Sequence, residues 1–281
     1  MRCSPFIAVA VFTSCGPDVP APTWEGTDGK DTLQVDHAPA DLTAIQLLAQ
    51  DAREFKDRGA IALAANGVRL AKGLSFDLRV PEGYELKVAA EGMDRSRFIT
   101  PAPDGRVFIT DMHDLTDNKK GRVYILSGWN EDSARFAKRQ VYLEGLRNPN
   151  QVAFYSTATD TFLYVATTNN LFRYPFHAGD TLPTAEPTVI DTFPNYGLNY
   201  KYGGWHLTRS LAFQGDKLYV SIGSSCNACI EKEDVRATIL KMDPDGRNQR
   251  IHASGLRNAV GLKWIMGDLF ATDMGSDQFG T

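Results

Sequence analysis

Four runs of the same make, Val107-Phe-Ile-Thr110, Leu163-Tyr-Val-Ala166, Leu218-Tyr-Val-Ser221 and Leu269-Phe-Ala-Thr272, stand 56, 55 and 51 residues apart along this chain. Each is preceded by another apolar run: Ile99 to Ala102, Val152-Ala-Phe154, Leu211-Ala-Phe213 and Leu262-Lys-Trp264. Turn signals join three of the pairs, Asp104-Gly105, Gly215-Asp216 and Gly267-Asp268. A unit of paired strands that restarts at this spacing cannot bury both faces alone and must lie against its neighbours, which is the requirement a β-propeller meets. A β-sandwich would bury such strands too, but it needs no regular restart. The expected fold class is all-β, a propeller with four blade starts in view.

The texture ahead of the repeat is different. Residues 24–38 are rich in Gly and Asp without periodicity, and Asp41 to Phe55 begins with an N-cap residue and repeats apolar residues at helical spacing, which predicts one amphipathic helix ending by Gly59. No structure is assigned to Ala60 to Ala71. From about Leu78 the chain turns to short apolar runs bounded by Gly, Asp, Asn and Pro. The expected organisation is a signal segment over 1–15, a linker with the short helical extension over 16–77, and the propeller over 78–281.

The first residues carry one positive charge, Arg2, then the apolar run Phe6 to Phe12, far short of the roughly 20 residues that span a bilayer. They read as an export signal. Thr13-Ser-Cys15-Gly16 resembles a bacterial lipobox, which makes Cys15 the candidate lipidated residue, followed by a Pro-rich tether from Pro17 to Pro22. Plain secretion and no signal at all are the other readings. The expected location is periplasmic or extracellular, with membrane contact only through that lipid. A net charge of −4 and no basic cluster beyond Lys119-Lys120 argue against nucleic acid or an anionic membrane surface as partner and leave a small molecule.

The strand entrances hold the candidate chemistry. Seven residues ahead of Phe154, Phe213 and Trp264 stand Arg147, His206 and Arg257, and Gly145-Leu-Arg-Asn148 recurs as Gly255-Leu-Arg-Asn258. In a propeller the innermost strands surround a central channel, so equivalent residues of successive blades form a ring there. Arginines at these places serve equally as loop clamps, and a histidine can be a satisfied structural one. His206 nevertheless stands out, because it replaces the arginine beside Trp205 and the pair Gly203-Gly204, which would let a flat ligand approach the backbone.

Cys226-Asn-Ala-Cys229 is followed by Ile230, which excludes the haem-attachment pattern, and no second cysteine pair completes a zinc set. A local disulfide is the leading reading for an exported protein, beside a redox-active dithiol or free thiols.

Val80-Pro-Glu-Gly-Tyr84, Gly204-Trp-His-Leu-Thr-Arg-Ser-Leu-Ala-Phe213, Leu218-Tyr-Val-Ser-Ile-Gly-Ser-Ser-Cys-Asn-Ala-Cys229, Ile239-Leu-Lys-Met-Asp-Pro-Asp-Gly246, Gly255-Leu-Arg-Asn-Ala-Val-Gly261 and Leu269-Phe-Ala-Thr-Asp-Met-Gly275 together resemble the soluble pyrroloquinoline-quinone-dependent sugar dehydrogenases, in particular their sorbosone dehydrogenase branch. The resemblance covers about residues 78–281. It implies a six-bladed propeller that binds the quinone and a calcium ion above the channel and oxidises an aldose or a sorbosone-like sugar. It implies His206 as general base, Arg257 and Asn258 as cofactor contacts, and the carbonyls of Gly275 and Ser276 as calcium ligands. With no haem motif, electrons are expected to leave to an external acceptor.

The chain departs from the family at Met274 and Ser276, where asparagine and arginine are common. Its sequence closes on Phe279-Gly-Thr281 with four blade starts, so a truncated propeller is expected. Two rival functions stand beside the dehydrogenase: a metal-dependent lactonase, for which Asp111 to Asn118 is the acidic loop, and a propeller that only binds.

Overall fold

The computed structural model describes residues 7–12, as backbone, and 62–71, 73–195, 206 and 209–275 with their side chains. The expected helix over Asp41–Phe55, Cys15, Ser276 and the glycines and tryptophan ahead of His206 lie outside the described residues. Among the described residues there is no helix, and the architecture is all-β.

Strand β1 (Ile7–Phe12) lies antiparallel to the last described strand, and β2 (Leu63–Arg69) pairs with β3 (Ser75–Pro81) as a hairpin. The chain thus takes up strand structure at Leu63, ahead of the boundary at 78 read from texture. Its Leu-Ala-Ala-Asn-Gly-Val-Arg sequence is exposed on both faces for most of its length, so no alternation marks it.

The blades follow. Blade one is β4 (Ser96–Pro101), β5 (Val107–Asp111), β6 (Gly121–Asn130) and β7 (Arg135–Leu146), hydrogen-bonded in that order. Blade two is β8 (Gln151–Ser156), β9 (Thr161–Ala166), β10 (Asn170–Phe176) and β11 (Thr188–Thr192). Blade three is β12 (Leu211–Gln214), β13 (Lys217–Ile222), β14 (Thr238–Met242) and β15 (Arg250–Ala253). The fourth sheet is β16 (Ala259–Ile265) and β17 (Asp268–Met274), with β1 on the outer edge of β17. The first strands β4, β8, β12 and β16 are neighbours in series, as the inner strands of a propeller must be.

The repeated runs are the second strands, β5, β9, β13 and β17. Side chains of a strand alternate between its faces, so a strand sandwiched between two blades reads as an unbroken apolar run. Leu163 and Val165 of β9 enter the core shared with blade one, while Tyr164 and Ala166 enter the core shared with blade three. Leu218 and Val220 of β13 likewise face back, and Tyr219 faces forward.

Polar stitches complete the inner wall. Thr100 Oγ1 donates to the Val152 carbonyl at 2.9 Å, and the Gln151 amide pairs with the Leu211 backbone in both senses, at 3.1 and 2.9 Å. Ser210 Oγ donates to the Val260 carbonyl.

The packing between blades three and four includes a half-buried histidine. The rings of His252 and Trp264 flank Tyr219 at 5.0 and 5.2 Å, and among the described residues His252 Nε2 and Trp264 Nε1 have no hydrogen-bond partner. Burial, with repulsion from Lys241 and Arg250 added, holds the His252 pKa below its ordinary 6.5. The folded protein therefore binds fewer protons here than the unfolded chain, so this contribution to stability is complete above pH 6.5 and is lost as pH falls through the lower folded value. Urea midpoints taken at about pH 7.5 and about pH 5.5 should fall further for the natural chain than for His252→Phe. Equal falls would remove His252 from the titration.

Candidate functional site

His206 stands ahead of β12 with a left-handed backbone, φ 50°. Two features hold it there. Arg209, 1% exposed, sends Nη1 to the His206 carbonyl and Nη2 to the Pro194 carbonyl, both at 3.0 Å, with its guanidinium carbon 5.9 Å from the Phe193 ring centre. Burial, with Arg236 nearby, lowers the Arg209 pKa to about 9, so it is a charged clamp at neutral pH. On the other side, Gly223 leaves room for the histidine: a Cβ on Gly223 would sit 2.4 Å from His206 Cβ and 2.8 Å from its carbonyl oxygen.

Ser224, 5% exposed, is the hub of the site. Its Oγ lies 2.7 Å and its carbonyl oxygen 3.0 Å from His206 Nδ1. Its backbone N–H donates to the Arg257 carbonyl at 2.8 Å, and its hydroxyl reaches the Cys226 carbonyl at 2.7 Å. One residue thus joins His206, the Gly-Leu-Arg-Asn segment of blade four and the cysteine loop.

Arg257 and Asn258 enter β16 with their backbone N–H groups on the Asp273 carboxylate, at 2.9 and 2.6 Å. The Asn258 side chain is buried, with Nδ2 3.9 Å from Met274 Sδ. The Arg257 guanidinium engages Asn227 through its carbonyl at 2.9 Å and its Oδ1 at 2.6 Å, and reaches the Met274 carbonyl at 3.3 Å. In this conformation it clamps the cysteine loop. Cys226 and Cys229 are disulfide-bonded, with Cα atoms 6.1 Å apart, and Glu231 closes the same loop by accepting from Ser225 N–H and Oγ, both at 2.7 Å.

A cavity of about 300 Å³ opens between this loop and blade four. Arg257 and Gly275 line it together with Ser224 and Asp273, and His206 and Asn258 stand one contact behind them. The structure therefore brings together His206, Arg257, Asn258 and Gly275.

Arg147, the matching member of the ring, makes a bidentate pair with Asp117, at 2.7 and 2.6 Å, and Asn148 holds Thr116 and Asn118 of the same loop. Asp111 accepts the N–H groups of Asp94, Arg95 and His113, and Asp114 accepts from Thr116 and Asn118. The acidic loop is thus a tied turn whose aspartates face N–H donors, not a cage of oxygens turned toward a cation.

Asp111 and Asp273 do the same work in their blades, each four residues beyond the start of a repeated run. The shared Thr-Asp that ends β5 and recurs in β17 is the sequence signal for them. Ser224 had no signal beyond its place beside the cysteine loop.

No protein-family model matches the sequence, and no curated protein matches it. Among solved structures, the chain is similar to the iodide and calcium structures of a carbohydrate-active enzyme of family AA12 from Trichoderma reesei. Each matches at a TM-score of 0.51 and 16% identity, over 72% of this chain and 48% of theirs. It also matches a calcium-binding protein, regucalcin, from Agrobacterium tumefaciens, at a TM-score of 0.45 and 17% identity, over 66% of this chain and 55% of that one. The likeness to the Trichoderma enzyme supports the propeller fold, and the chain spans about half the length of the structures it matches.

Proposed function

We propose that this chain carries the proton-abstracting part of a sugar oxidoreductase that works with pyrroloquinoline quinone and calcium. The observation that carries the reading is one cavity lined by Arg257, Gly275, Ser224 and Asp273, with His206 bonded to Ser224 and Asn258 to Asp273 directly behind it.

The donor set suits both groups. A forked guanidinium and a carboxamide are apt partners for the carboxylates and ring oxygens of a flat quinone. Calcium takes oxygen ligands, and the turn at Met274 and Gly275 already offers a carbonyl to a cation, the Arg257 guanidinium at 3.3 Å. Among the described residues, no heavy atom lies within 4 Å of where a Cβ on Gly275 would stand. Arg257 and Asn258 would hold the quinone, and the carbonyls of Gly275 and Ser276 the calcium. When bound, the quinone supplies the hydride acceptor.

His206 takes the hydroxyl proton of an aldose or sorbosone-like sugar, and because Nδ1 is engaged by Ser224 the transfer falls to Nε2. The oxidised carbon is left as a carbonyl, giving a lactone or acid. Electrons then pass to an external acceptor. The disulfide supports an oxidising, exported location, with Cys15 as the lipid anchor once the segment that holds β1, Ile7–Phe12, has been removed.

His206→Gln should abolish sugar-dependent dye reduction while leaving quinone binding, followed by the quinone's absorbance, within about twofold, as loss of a positioned base costs roughly 100-fold or more. Undiminished turnover in that variant would defeat the assignment, and would favour a propeller that uses this mouth otherwise.

A further inference from the structure

We infer that Ser224 is the positioning residue that sets the tautomer of His206, and that the disulfide loop dictates how it does so. The inference deepens the proposed oxidoreductase reading and rests on it for its catalytic consequence, but the tautomer itself is a property of the protein alone.

Three contacts carry the argument. The Ser224 carbonyl oxygen, 3.0 Å from His206 Nδ1, can only accept a hydrogen bond. Ser224 Oγ, 2.7 Å from the same nitrogen, has a single proton, and the Cys226 carbonyl 2.7 Å away can only receive it. A hydroxyl whose proton is committed to Cys226 presents lone pairs to its other neighbour. Both oxygens facing Nδ1 are then acceptors, so Nδ1 carries the ring proton and the lone pair of the neutral imidazole is on Nε2. The opposite arrangement would turn the serine proton onto Nδ1, leave the Cys226 carbonyl without it and place two lone pairs, Nδ1 and the Ser224 carbonyl, against each other. Which nitrogen of a histidine is basic is set by the bond that the other makes.

The direction of the serine hydroxyl originates in the loop. Cys226 is fixed by its bond to Cys229, Asn227 by the Arg257 guanidinium, and Ser225 by Glu231. Each of these restraints surrounds the one carbonyl that takes the Ser224 proton. The cysteine pair thus acts on the base at a distance of two hydrogen bonds, without touching substrate.

Side-chain nitrogen NMR of the full protein reads this directly, since the chain has five histidines and the His206 signals are those missing from His206→Gln. At a pH where the ring is neutral, the natural protein should show the Nδ1–H form. Ser224→Ala keeps the carbonyl acceptor, so the Nδ1–H form should persist, with its share lowered by the loss of the second acceptor. With sugar and quinone present it should lower kcat by about 10-fold to 100-fold, the order seen when the outer partner of a functional histidine is removed, with KM little changed. Ser224→Thr, which keeps the hydroxyl, should restore both.

An Nε2–H form in the natural protein, or an Nδ1–H share in Ser224→Ala equal to the natural one, would overturn the inference. If no sugar oxidation is found but the tautomer behaves as stated, the oxidoreductase reading fails while the positioning of His206 by Ser224 stands.

Discussion

Gly223→Ala is expected to silence the site while leaving most of the propeller folded. The added methyl would lie 2.4 Å from His206 Cβ, 2.8 Å from the His206 carbonyl oxygen and 3.0 Å from Asn258 Oδ1. The first two are not ends of flexible side chains, so relief requires the His206 backbone to move. That backbone is pinned by the buried Arg209 guanidinium, and its left-handed φ of 50° leaves little slack. Overpacking of this kind costs about 1–3 kcal/mol, and a displacement of order 1 Å at a reacting group costs about 100-fold in rate. Denaturant midpoints together with sugar-dependent turnover check it. A variant with natural turnover would show that the contact between His206 and the end of β13 is not needed.

Phe108→Ala should cause the largest loss of stability. Phe108 is fully buried in the core between blades one and two and meets Tyr142, Phe154 and Phe176 edge-on, with ring centres 5.2, 5.1 and 5.9 Å away. Removing such a ring takes away its transfer free energy and leaves a cavity, a cost of about 3–5 kcal/mol against a whole-domain stability of about 5–15 kcal/mol. A loss below about 1 kcal/mol in urea unfolding would contradict the packing described. The position explains the magnitude. Phe108, Tyr164 and Tyr219 are each the second residue of a repeated run, and each faces the following blade.

That regularity is why the propeller was legible in the sequence. A second strand covered on both faces must be apolar throughout, and such runs at even spacing betray the restart of a blade. The outer strands β11 and β15 were not legible, because Thr-Val-Ile-Asp-Thr and Arg-Ile-His-Ala are short, largely uncovered and free of any pattern that burial would impose. The hairpin of β2 and β3 escaped notice for the same reason.

The candidate site was legible where chemistry sits at a repeated place. His206 and Arg257 were found by counting back from Phe213 and Trp264, and the structure sets both against Ser224. The work of Arg257 was not legible: its partners, Asn227 and Met274, are 30 and 17 residues away and belong to loops whose paths no local pattern fixes. Ser224 and Asp273 were missed because a serine in a loop and an aspartate near the end of a strand are common, and only tertiary structure shows that one faces an imidazole and the other caps two amides. Arg209, three residues from His206 in the sequence, is by its burial and its two carbonyl partners the clamp of the histidine's backbone.

The central claim is that His206 serves a quinone held beside Arg257, Asn258 and Gly275. Its most direct test is dye reduction by the full protein, supplied with pyrroloquinoline quinone and calcium and challenged with aldoses and sorbosone. The expected result is turnover that requires sugar, quinone and calcium together and disappears in His206→Gln. Dye reduction that needs no quinone, or none with every component present, would contradict it.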